Sequence, residues 1–294
     1  MPPLTGLKVI DLTRVLAGLF CTMMLGDMGA EVLKIEEPDL GDETRGWSPF
    51  IGDHSSYFLS VNRNKTSVAL DLKSRQGADA LHDLIGLADI LVENLRPGSL
   101  AALGFGHHEL ARTHPRLIYC SISGYGQDGP RAALPGYDVV IQGESGFMDV
   151  TGSAGGPPTR AGVAITDYLA GLYAVQGILL ALYDRQRTGM GQHVDIALFD
   201  SMLSVMRLPL GILQAVDSYC ARTRGSGTSR PSSTPSVCSP RLGGGSDITA
   251  GVRESFSGVT SVATSPAPSI ENVGSMLRAT TCGSAMASAM VRAR

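Results

Sequence analysis

Charge is scarce in this chain. Asp, Glu, Lys and Arg make up 17% of its 294 residues, and the net charge is −3. With a pI near 6.1, no basic footprint points to nucleic acid. The five cysteines (Cys21, Cys120, Cys220, Cys238 and Cys282) are odd in number, scattered, and form no CxxC pair. Neither a disulfide framework nor a structural zinc site follows. The opening MPPLTGLKVIDL has neither the basic start nor the apolar core of a secretory signal. The longest apolar stretch, Leu169 to Tyr183, is too short to span a bilayer and reads as a buried helix. The expectation is a cytoplasmic protein that engages no membrane. Phosphate cradles are missing too. No GxxxxGK followed by Ser or Thr occurs, which excludes a P-loop. The turn after the first candidate strand, TRVLAG, has one glycine where a dinucleotide fingerprint needs three. No GxSxG supports a serine hydrolase. The six histidines lack metal-ligand spacing; His107 and His108 read as solvated residues ahead of a helix.

What is present is enough apolar residue, 43%, for a sizeable core. It is unevenly placed. Residues 1–220 hold 16 Lys and Arg against 24 Asp and Glu, a net of −8, whereas residues 221–294 hold 8 Arg, no Lys and 3 acids, a net of +5. Of the 16 aromatic residues only Phe256 falls in that last segment, which carries 15 serines. So few large apolar groups cannot offset the entropy of ordering so many positions. Residues 218–294 therefore read as a disordered tail or as the product of a shifted reading frame in GC-rich coding DNA. A functional basic tail is the alternative.

Before that break, strands and helices alternate. Lys8–Leu12, Glu31–Ile35, Ser67–Leu72, Asp89–Val92, Leu117–Ile122 and His193–Leu198 have strand character. Helical spacing marks Ala17–Met28, Ser74–Leu87, Pro97–Leu103, Asp138–Met148, Thr166–Arg187 and Phe199–Ala215. This order predicts an α/β fold with a largely parallel sheet. GYGQDGP at Gly124–Pro130 reads as a turn cluster. Among the carboxylates Asp167 stands out, at the start of the longest apolar helix in GVAITDYLAGLYAVQGILLALY. Its plain reading is a helix-terminal acid meeting free N–H groups and the positive end of the dipole. Its functional reading uses the same groups to keep the carboxylate ionised for attack on an activated acyl group. The small residues Gly162, Ala164 and Gly171 would leave room for the substrate.

Residues 1–217 resemble the class III CoA-transferases (the CaiB/BaiF type), a family that includes formyl-CoA transferase, carnitine CoA-transferase and the α-methylacyl-CoA racemases. Seven stretches carry the likeness in family order: GLKVIDLTRVLAGLF, LGDMGAEVLKIEEPDLGDETR, SVNRNKTSVALDLKS, DILVENLRPGSLAALGFG, LIYCSISGYGQDGP, PGYDVVIQGESG and GVAITDYLAGLYAVQGILLALYDRQRTGMGQHVDIALFDS. The resemblance implies a Rossmann-like large domain at 1–217, and Asp167 as a nucleophile that becomes acylated and then forms an aspartyl-CoA thioester. It implies CoA contacts at Arg14, Val15, Leu16, Ala17, Leu70, Lys73, Asn94 and Leu95, and an acyl pocket at Tyr137. It also implies acyl-CoA as substrate rather than a bound cofactor, a small carboxylic acid acceptor such as a dicarboxylate, no metal, and interlocked homodimers.

Four features temper it. The racemases carry His where this chain has Tyr137, and a phenol of pKa near 10 is a poor acid/base replacement, so transfer is favoured over racemisation. Glu37 stands where some relatives are basic, and Leu16 replaces a residue that is polar in some. The likeness stops near Asp217, which leaves a truncated, non-catalytic CoA-binding product as the rival reading.

Overall fold

The structure, a computed structural model, describes residues 1–153, 156–209, 211 and 292–293. The chain divides into two units, Met1–Val205 with Ala285–Arg294, and Met206–Ser284. Of the second only residues 206–209 and 211 are described, and the fold below is that of the first. The tail expected at 218–294 lies outside the described residues, apart from Arg292–Ala293.

The first unit opens with β1 (Lys8–Leu12), α1 (Ala17–Asp27) and β2 (Glu31–Glu36). A 3-10 turn at Glu43–Gly46, a short hairpin of β3 (Phe50–Ile51) and β4 (His54–Ser55), and α2 (Ser56–Val61) follow. Next come β5 (Lys65–Ala69), α3 (Arg75–Gly86), β6 (Ile90–Glu93), α4 (His107–Thr113) and β7 (Ile118–Ser123). The series closes with α5 (Asp138–Glu144), α6 (Ile165–Thr188), β8 (His193–Ala197), α7 (Leu198–Val205) and the two-residue β9 (Arg292–Ala293). The sheet runs β5-β2-β1-β6-β7-β8-β9. Its first six strands pair in parallel, and β9 lies antiparallel to β8. The expected α/β fold is therefore the observed one. Counting parallel strands along the chain, the order is 3-2-1-4-5-6, which reverses between β1 and β6. Open sheets of this kind bind ligands in the crevice beyond the carboxyl ends at that reversal.

Alternating side chains send each strand's residues to two cores. On one face Val9, Ile90, Val92, Ile118, Cys120, Ile122, Val194 and Ile196 meet Ala17 and Cys21 of α1 and Ala170, Ala174 and Ile178 of α6. On the other, Ile10, Leu12, Leu91 and Tyr119 meet Leu81 and Ile85 of α3 and Leu110 of α4. Helix α6 has 24 residues, and an 18-residue stretch of it has a mean hydropathy of 1.5, enough to cross a bilayer by length and composition. Here its buried stripe packs on α1, α7, β7 and β8 as a core helix.

The sequence misjudged some local structure. Pro97–Leu103 is not a helix: only Ala101–Leu103 forms a 3-10 turn. Gly98 sits at φ 83, a left-handed conformation that interrupts helical continuation. The strand expected at Ser67–Leu72 begins and ends earlier, because Ser74 caps α3 through Gly77 N–H and Asp71 belongs to the turn leading in. Helix α5 stops at Glu144, short of Met148. Helix α7 spans Leu198–Val205; of the extent expected beyond it, residues 210 and 212–215 lie outside the described residues. His107 and His108 open α4 rather than precede it. His108 is exposed, but His107 stacks on His193 with ring centroids 4.3 Å apart.

Candidate active site

The turn after β1 is held by buried charge. Asp11, fully buried, accepts Thr13 N–H at 2.9 Å and the hydroxyls of Thr13 and Thr22, both at 2.6 Å. Lys65 Nζ lies 3.1 Å from Oδ2, the oxygen that also accepts the Thr22 hydroxyl. Burial alone would raise the Asp11 carboxyl, but Lys65, Lys34 and the two hydroxyls outweigh it and hold it below the ordinary carboxylate range. Lys34 Nζ, itself buried, donates to Thr13 O at 2.8 Å and pairs with Asp42 at 2.9 Å. Paired and hydrogen-bonded in this way, buried charges fix one arrangement of the turn.

Beyond Thr13 the chain meets the strand next door. Arg14 N–H donates to Asn94 Oδ1 at 2.8 Å, and Asn94 Nδ2 donates to Arg14 O at 2.7 Å. Arg14 follows β1 and Asn94 follows β6, so the two strands are tied at the reversal of strand order. Leu95 N–H donates to Glu93 at 2.9 Å. Val15 has φ 68, a genuine outlier for a β-branched residue. Val15 and Leu16 then pack in one small cluster with Phe20, Tyr57, Ala164 and Tyr168.

Ala164 and Tyr168 flank Asp167 in sequence. Asp167 is the third residue of α6, and Gly171 lies one turn further on the same face. A Cβ on Gly171 would stand 2.8 Å from Ala17 O and 3.0 Å from the Phe20 ring. The helices α1 and α6 therefore cross in close contact there. This is not the substrate space expected at Gly171, although Gly162 is open. The contact sets the start of α6 over the Val15–Ala17 turn. Phe20 and Tyr168 lock it edge to face, with centroids 4.9 Å apart.

Asp167 does not use the free N–H groups of its helix as the sequence led us to expect. Among the described residues its carboxylate takes no hydrogen bond. Instead Thr166 N–H donates to Asp138 Oδ1 at 2.8 Å. Asp138 is held in turn by Gln142 Nε2 at 2.7 Å, and Gln142 Oε1 accepts Ala161 N–H at 2.8 Å. Burial, together with the Asp138 charge, pushes the Asp167 pKa up to about 7. Tyr57 packs in the same cluster as Ala164 and Tyr168, and its phenol is raised by burial and then by the Asp167 charge. A partly buried carboxyl poised near neutrality has the properties of a nucleophile or an acid/base group.

Asp138, Gln142 and Tyr57 were not singled out from the sequence. The one signal for Asp138 was its place after Tyr137, with Gln142 four residues on. Tyr137 is exposed. Leu70 and Leu95 pack on the core of the α3 face, while Lys73 is exposed, its N–H donating to Asp71. The structure thus ties Arg14 to Asn94, packs Val15 and Leu16 with Ala164 and Tyr168, and sets Ala17 against Gly171, so that the turn after β1 meets the residues around Asp167.

On the α3 side a cavity of about 280 Å³ is lined by Glu93, Tyr119, Ser121, His107, His193 and Asp195, among others, but not by Asp167. Burial raises the Glu93 carboxyl to about 7 against hydrogen bonds from Ser121 and Leu95.

The model of CoA-transferase family III matches residues 4–236. The chain belongs to this family. The chain is 48% identical over 205 residues to a human succinyl-CoA:glutarate CoA-transferase, covering 69% of this chain and 47% of that one. It is 46% identical over 221 residues to an acetyl-CoA:oxalate CoA-transferase of Acetobacter aceti, covering 75% and 57%. A crystal structure of a CAIB/BAIF family protein from Brucella suis superposes with a TM-score of 0.67 at 40% identity, covering 78% of this chain and 59% of that one. This family III chain spans about half the length of the curated relatives it matches.

Proposed function

We propose that this chain transfers CoA from an acyl-CoA to a small carboxylic acid, with Asp167 as the covalent nucleophile. What supports the reading is Asp167 itself: a partly buried carboxyl whose pKa burial raises to about 7, next in sequence to Tyr168, which packs with Val15 and Leu16 of the turn at the reversal of strand order. Its oxygen attacks the thioester carbonyl carbon, the C–S bond breaks, and CoA leaves as the thiolate. The product is a mixed anhydride on Asp167. The thiolate then attacks the aspartyl carbonyl, which releases the donor acid and leaves an aspartyl-CoA thioester. An acceptor carboxylate displaces the thiolate to form a second anhydride. The thiolate attacks the acceptor's acyl carbon in it, giving the new acyl-CoA and restoring the Asp167 carboxylate. Protons balance without an external acid or base.

The succinyl-CoA:glutarate and acetyl-CoA:oxalate activities named for its relatives make a short dicarboxylate the proposed acceptor and succinyl-CoA the proposed donor. The substrate is the CoA thioester itself, with no other cofactor in the scheme. A cytoplasmic homodimer is part of the same proposal. The test is chromatography of CoA esters after incubation with succinyl-CoA and glutarate. Glutaryl-CoA formed by the wild type and lost in Asp167→Ala supports the reading; equal rates in both refute it. Bound CoA with no product means binding without transfer, and it too refutes the reading.

A further inference from the structure

We infer that Asn94 is a positioning residue, which holds the turn after β1 in the shape that meets acyl-CoA instead of gripping the ligand with its own side chain. The inference rests on the proposed acyl-CoA function. Both ends of the Asn94 carboxamide are engaged on one residue's backbone, 80 positions away, at 2.8 and 2.7 Å. The carboxamide mimics a peptide group and pairs with Arg14 as a neighbouring strand would.

The rest of the turn explains why such a clamp is needed. Thr13 is fixed by Asp11 and Lys34, and Leu16 is the residue from which α1 begins. Between these anchors Val15 is held at φ 68. A β-branched residue keeps that conformation only where its surroundings over-determine it. Arg14 is its immediate neighbour, and Asn94 takes both of Arg14's backbone groups. With Asn94 shortened, Val15 is free to relax toward negative φ, carrying Leu16 away from Ala164 and Tyr168 at the start of α6.

The test uses the 294-residue chain and a double-mutant cycle of Asn94→Ala and Val15→Gly. A glycine adopts left-handed backbone without strain, so the turn keeps its shape with less help. Free CoA is titrated by calorimetry, and hydrogen exchange is followed in the peptide covering residues 13–20. In the chain that retains Val15, Asn94→Ala weakens CoA binding about tenfold, the scale of two lost backbone hydrogen bonds, and speeds exchange at the turn. In the Val15→Gly background, whatever its own affinity, Asn94→Ala costs at most about a third of that factor. An equal loss in both backgrounds means that Asn94 touches the ligand directly and overturns the inference. So does a lower melting temperature in Asn94→Ala with CoA affinity unchanged. Wild-type protein that binds no CoA overturns the proposed function and this inference with it.

Discussion

Asp167 stores unfavourable energy that an uncharged replacement should release. Its folded pKa is about 7 against an ordinary value of 3.8, so the folded state holds this proton more tightly than the unfolded chain. A raised carboxyl pKa favours folding while the group is protonated. The benefit is present below the unfolded value and is lost as pH rises from about 4 through about 7. About three pH units at 1.36 kcal/mol each set a ceiling near 4 kcal/mol, and solvent at this half-sheltered site reduces the expected effect to about 1–3 kcal/mol. Asp167→Asn keeps the shape and cannot ionise. It should therefore be more stable than wild type by that amount at pH 8 and nearly equal to it at pH 4. Urea unfolding of both proteins at a series of pH values reads this directly. Parallel pH profiles, with no gap opening between 4 and 7, would refute the account of Asp167 as a carboxyl penalised by burial and by Asp138.

The surrounding groups give further expectations. Asp138→Asn keeps an acceptor for Thr166 N–H but removes the charge, so the pH at which Asp167 becomes reactive should move to lower values, measured by acyl-CoA labelling against pH. Asp138→Ala loses that acceptor as well and should cost a further ~0.5–2 kcal/mol by urea unfolding, the scale of a helix cap. Gly171→Val places atoms against Ala17 O and the Phe20 ring and should destabilise by about 1–3 kcal/mol while slowing labelling of Asp167. Lys65→Met strips the buried Asp11 of its closest cation and should cost about 3–5 kcal/mol in the same unfolding assay.

The sheet was legible because its strands are short apolar runs between helical spacings, and six of them formed where the pattern placed them within a few residues. Asp167 was legible as an acid opening an apolar helix. The protonation of that acid was not. The helix N–H beside it goes to Asp138, 28 residues earlier, and no local pattern announces a bond between two such distant segments. The same holds for Asn94, whose partner Arg14 lies 80 residues away. Helix Pro97–Leu103 failed at Gly98, whose φ of 83 is left-handed and breaks the helical run. His107 was read as solvated because its stacking partner, His193, lies on β8, far along the chain. For Asp167, Asn94 and His107 the part missed is a contact between distant segments rather than a local propensity.

The central claim is that Asp167 becomes covalently acylated, and peptide mass spectrometry tests it most directly. Purified protein is incubated with succinyl-CoA, trapped with hydroxylamine and digested. The account predicts a hydroxamate on Asp167 that is absent from Asp167→Asn. An unmodified Asp167 peptide, with a full-length relative labelled in parallel under the same conditions, would contradict it.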